Sequence, residues 1–137
     1  MLFLMVFAGW SLAAIWTTLT PSLRTGSEDL SQKRAAVIKV AVARYRSHSG
    51  GAWPTTLDGL RTNTASLAAC AVNASTRVLG GWCGPYIETV FQSDTSWKLD
   101  GYGTAFEYSS AGGTLKSCGR DRLCGGGGAA DDWTFTL

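Results

Sequence analysis

The chain predicts an α+β fold: a long N-terminal helix, apolar in its first half, packed on a small antiparallel sheet head. Three observations predict it. Met1 to Leu23 holds no charged residue, so all 12 Lys and Arg and all 10 Asp and Glu fall in the rest of the 137 residues. Apolar positions then recur at helical spacing as far as Tyr45. Beyond Tyr86 the pattern changes to alternation broken by Gly-containing turns, which marks hairpins.

The elements follow in order. Residues 1–23 form an apolar transmembrane or filament-core helix. At 1.5 Å per residue the stretch is long enough to cross a hydrocarbon layer of about 30 Å. Phe3, Phe7 and Trp10 fall on one stripe and, with Leu12, Ile15 and Pro21, are the candidate assembly residues. The first basic residues after the span, Arg24, Lys33, Arg34 and Lys39, would alone place its C-terminal side in the cytoplasm. Disulfides would place it outside. A short basic leader, removed ahead of Met1, resolves the conflict, and the expectation is an N-terminus facing the cytoplasm with the head outside.

Residues 24–48 read as an amphipathic helical stem. Pro21 should bend or interrupt the helix. Thr25 and Glu28 then offer a capping box for a restart. Leu30, Val37, Ile38, Ala41, Val42 and Tyr45 form its apolar face, and Ser47 to Gly51 reads as a stop. Residues 24–46 carry six basic and two acidic side chains, whereas residues 47–137 carry six basic and eight acidic. A basic stem and a slightly acidic head would complement each other between stacked copies.

Residues 49–137 form the globular head. Thr55 to Arg61 reads as a short helix with Leu57 and Leu60 inward. Residues 62–81 show no strong period and read as a surface loop, in which Asn73-Ala74-Ser75 matches the glycosylation sequon. Gly103 to Tyr108, a turn at Ala111 to Gly113, and Thr114 to Ser117 read as a hairpin. Trp133 to Leu137 is a last strand, and one helix on this sheet makes a two-layer α+β arrangement.

The four cysteines lie at Cys70, Cys83, Cys118 and Cys124 with no C-x-x-C spacing, which argues against a zinc ribbon or a thioredoxin-like site. An even count in a small Gly-rich head reads as two disulfides. Of three connectivities, Cys70–Cys83 and Cys118–Cys124 close the shortest loops.

Other classes are poorly served. A net charge of +2 gives no bulk argument for nucleic acid. One histidine, His48, excludes a paired-His mechanism. G-x-S-x-G, the P-loop and G-x-G-x-x-G are all missing, so an enzyme is not expected.

Several segments, in order, resemble the major pseudopilins of type II secretion and the wider type IV pilin family. Ala43-Arg44-Tyr45-Arg46 leads through a turn to Trp53-Pro54-Thr55-Thr56-Leu57-Asp58-Gly59-Leu60, which resembles the family's YP-T-x-x-G-L segment. Gly84-Pro85-Tyr86-Ile87 resembles its GPYL segment. Asp100 to Tyr108 resembles its DPWGxPYxY strand, and Ser117 to Trp133 its SxGxDG…DDI loop. The family's mature chain begins with Phe and carries Glu at its fifth position. Here those positions hold Met1 and Met5, and the first acid is Glu28.

The resemblance implies a pilin-like fold and a subunit of a helical pilus or pseudopilus that polymerises through its apolar helix. It implies self-association into a filament, other pilins and an assembly machinery as partners, and no nucleic acid. It implies residence in the inner membrane before assembly and a periplasmic or extracellular filament afterwards. It also implies a calcium site in the C-terminal loop, on Asp121, Asp131 and Asp132, whose hard oxygens suit the ion. The Cys118–Cys124 bridge is the alternative staple for that loop. A minor pilin or a membrane-anchored binding module, displaying Arg120, Arg122 and Trp82, is the alternative function.

Overall fold

The computed structural model describes residues 4–89, 94–125 and 131–137, with side chains from Gly26 onward. One helix, α1, runs Leu4–His48. Among the described residues five short strands follow: β1 Ala71–Val72, β2 Leu79–Gly80, β3 Glu107–Ser109, β4 Thr114–Ser117 and β5 Trp133–Thr136. The fold is mixed α+β, as the sequence predicts.

The helix assignment continues through Pro21 and Thr25, so the expected restart is absent. A proline removes one i→i−4 hydrogen bond, which bends a helix without having to end it. Candidate assembly residues Phe3, Phe7, Trp10, Leu12, Ile15 and Pro21 lie outside the residues whose side chains are described. Among the described residues, no helix is long and apolar enough to cross a membrane.

The stem's inward face is set by Ser31, Ala35, Ile38, Ala41, Val42 and Tyr45, all buried. These positions repeat every three or four residues, as one helix face requires. Leu30 and Val37, expected inward, are 39% and 55% exposed. They lie one position off the buried phase, about 100° around the helix.

The helix stops at the expected place. The amide of Gly51 donates to the Arg46 carbonyl and that of Ser49 to the Tyr45 carbonyl. Gly50 and Gly51 take the positive φ that terminates helices, and the guanidinium of Arg46 lies 3.9 Å from the centre of the Trp53 ring. A 3-10 turn, Leu57–Leu60, then inserts Leu57 and Leu60 into the core.

The larger sheet has the order β3-β4-β5, antiparallel throughout. Its register aligns Tyr108 with Leu115 and Leu115 with Phe135, one row facing α1. Leu115 is fully buried between them. The hairpin strand expected from Gly103 shortens to Glu107–Ser109, because Asp100 takes the amides of Tyr102 and Thr104 into a turn.

The segment expected to be a loop contains the second sheet, β1 paired with β2. Its strands are two residues each and largely exposed, so periodicity could not reveal them. The Cys70–Cys83 disulfide closes its base, and the amide of Gly81 donates to the His48 carbonyl at 2.9 Å, joining the hairpin to the end of α1.

Candidate functional site

Both disulfides form as the spacing predicted: Cys70–Cys83 and Cys118–Cys124. The second closes a loop that leaves β4 at Ser117 and returns toward β5. Gly119 turns that loop at φ +66, and a Cβ there would run into the Asp131 carbonyl. The loop therefore packs backbone to backbone against the start of β5, a fit that needs glycine.

Two of the three aspartates implied as calcium ligands, Asp132 and Asp121, take separate roles. Asp132 is 7% exposed in its side chain and pairs through Oδ2 with Lys116 Nζ at 2.7 Å. The same oxygen accepts the Gly125 amide at 2.9 Å. The bonded Lys116 ammonium, helped by that amide, holds the Asp132 carboxyl below its ordinary range, against the opposing effect of burial. Its other oxygen, Oδ1, is buried without a hydrogen-bond partner among the described residues. Asp121 accepts the Leu123 amide at 2.9 Å, capping its own turn.

Among the described residues, the one set of three metal-type ligand atoms drawn together is Glu107, Cys118 and Cys124, and both sulfurs are committed to the disulfide. The aspartates do not converge as a ligand set. The loop is fastened by its disulfide and by the Lys116–Asp132 pair.

The tip of this loop presents Arg120, Arg122 and Leu123, with Leu123 63% exposed. Trp82, the third residue proposed for a binding patch, turns inward instead. It packs against the core, edge-on to Tyr86, and donates from Nε1 to the Gly59 carbonyl.

A second cluster, poorly legible from residue pattern, joins the stem to the head. Asp100 is completely buried. Its Oδ1 accepts the amides of Tyr102 and Thr104 at 3.0 and 2.9 Å, and its Oδ2 accepts the Ser117 hydroxyl at 2.7 Å. Arg34 donates to the carbonyls of Leu99 and Asp100. Three donors on one buried carboxylate compensate its desolvation. The only sequence signal was Asp100 opening the DPWGxPYxY-like strand.

His48 closes the far end of α1. Its Nδ1 lies 3.3 Å from the Tyr86 hydroxyl, which in turn accepts the Cys83 amide at 2.9 Å. This contact ties helix, hairpin and core together.

The class that these features define is a small α+β head fastened on one face of a long helix, stabilised by two disulfides. The chain matches no family model, no curated protein and no solved structure.

Proposed function

We propose that this chain is a structural subunit of a helical pilus or pseudopilus filament, polymerising through the apolar first half of its helix. The observation that carries the reading is the division of α1. The helix is 45 residues long, yet the head's described contacts fall on its second half, from Ser27 to His48. The uncharged stretch from Met1 to Leu23 supplies a second, wholly apolar segment of the same helix. Helices of that kind bury each other, or lie in lipid, to remove their apolar surface from water.

In this reading the subunit waits in the inner membrane with its N-terminus in the cytoplasm and the disulfide-bonded head outside. It then joins copies of itself, other pilins and the assembly machinery in a periplasmic or extracellular filament. Calcium has no part in the proposal, because the lysine on Asp132 already supplies the loop's counter-charge.

The second reading is a minor pilin or membrane-anchored binding module. The exposed Arg120, Arg122 and Leu123 on a covalently closed loop favour it. Electron microscopy of the sheared surface fraction of cells expressing the full precursor separates the two. Filaments built of this subunit support the first reading. A protein that stays in the membrane without filaments supports the second.

A further inference from the structure

We propose that Asn73 is a glycosylation site, with its side-chain nitrogen the acceptor of an N-linked sugar. The inference is independent of the filament reading and requires only that the head mature outside the reducing cytoplasm, as two disulfides indicate.

The motif Asn73-Ala74-Ser75 has a non-proline residue at its centre and sits in the turn joining β1 to β2. All three residues are exposed. The turn is closed by backbone bonds: the Asn73 amide donates to the Val78 carbonyl at 2.9 Å, and the Arg77 amide donates to the Asn73 carbonyl at 2.8 Å. The Asn73 side chain adds an Asx turn, in which Oδ1 accepts the amides of Ser75 and Thr76 at 2.9 and 3.0 Å.

This arrangement separates the two ends of the amide. Oδ1 is held to the backbone, whereas Nδ2 has no hydrogen-bond partner among the described residues. Ser75 is held by its backbone amide, two residues on in the same turn. Two donors on the oxygen polarise the amide and acidify its N–H protons. The sugar donor required is a glycosyl phosphate, carried on a lipid or a nucleotide. Nδ2 attacks the anomeric carbon, so the C–N bond forms as the C–O bond to phosphate breaks. The phosphate leaves with the electron pair, and the Nδ2 proton passes to a base of the transferase. No electrons are exchanged with an oxidant or reductant.

A second feature of the hairpin points the same way. Val72, Val78 and Leu79 are 59%, 55% and 44% exposed, an unusual concentration of aliphatic surface on a two-stranded ribbon. Val72 and Leu79 face each other directly across the strands. A hydrated sugar rooted at the tip covers this surface and keeps the ribbon from pairing with other chains.

The test uses the full chain isolated from membranes of the cells that make it. The tryptic peptide 62–77 is weighed by mass spectrometry before and after release of N-linked sugar in heavy-oxygen water. We expect a sugar mass on Asn73 that is replaced on release by a labelled aspartate. The mass is lost in Asn73→Gln and Ser75→Ala and kept in Ser75→Thr. Ser75→Ala is the decisive variant, since it leaves both backbone bonds to Asn73 Oδ1 intact. An unmodified wild-type peptide overturns the proposal, as does a sugar that persists in Ser75→Ala.

Discussion

The amide of Gly101 donates to the Ser31 hydroxyl at 2.8 Å across 70 residues of chain. The Ser31 hydroxyl in turn donates to the Ser27 carbonyl, one turn back along α1, at 2.9 Å. Gly101 lies so close to the helix that a Cβ would strike that same carbonyl. Stem and head are thus joined backbone to backbone, with one hydroxyl as the rivet.

Ser31→Ala should cost about 1–3 kcal/mol, because it leaves the Gly101 N–H without an acceptor. Gly101→Ala should cost as much or more, since helix and loop must separate to admit a methyl group. Urea unfolding of the head fragment from residue 26, followed by circular dichroism, checks both.

Asp100→Ala should be among the most damaging single changes in the head, costing about 3 kcal/mol or more. It strands two amides and the Ser117 hydroxyl together. Asp100→Asn should cost less, because its oxygen still accepts the two amides while Ser117 turns to accept. Thermal melts of the two variants side by side decide it.

The two disulfides should contribute unequally. Their sequence separations of 13 and 6 residues give about 3 and about 2 kcal/mol in the chain-entropy account. Paired serine variants, Cys70→Ser with Cys83→Ser and Cys118→Ser with Cys124→Ser, should show that order in denaturant midpoint.

Alkaline pH should loosen the head through Tyr108. Burial is the main cause that pushes its phenol up to about 12, with Tyr45 nearby adding to it. The hydroxyl also donates to the Pro54 carbonyl at 2.8 Å. A raised folded value means the contribution is complete below the ordinary value of 10.0 and lost as pH climbs toward 12. Absorbance titration should show Tyr108 ionising last, and Tyr108→Phe should flatten the fall in stability over that window.

Acid should act through Asp132 with the opposite sign. Its lowered folded value means stability is present above the ordinary 3.8 and lost as pH falls through the folded value. Lys116→Met removes the chief cause of the lowering. The carboxyl signal of Asp132 should then titrate at higher pH by NMR, and the acid unfolding limb should move up with it.

Much of this fold is legible from residue pattern, and the misses have physical reasons. Cys70–Cys83 and Cys118–Cys124 are readable because each pair is close in sequence. The helix stop at His48 and the strand from Trp133 are readable from local chemistry. The inward phase of α1 is harder, because Leu30 and Val37 fit a helical stripe as well as Ala35 and Ile38 do. What selects the second phase is Ser31, a polar residue needed inside to satisfy Gly101, which no hydropathy pattern would favour. The Asp100 cluster escapes for the same reason: its partners are backbone groups, and a backbone donor has no letter in the sequence. The ion pair of Asp132 with Lys116 is not legible in the sequence, because it depends on how β4 and β5 are aligned.

The union of Ser31 with Gly101 also sets an order of events as the chain is made. The stem leaves the ribosome before the head, but the groups that hold it arrive some 70 residues later, and Lys39 reaches its acceptor only at Thr136. Local contacts can wind the helix early, whereas its seat on the head waits for distant loops to close. The segment made before the head is locked only after it. Until Gly101 and the sheet have emerged, the inner face of the stem stays open to lipid, to chaperones or to another copy of the chain.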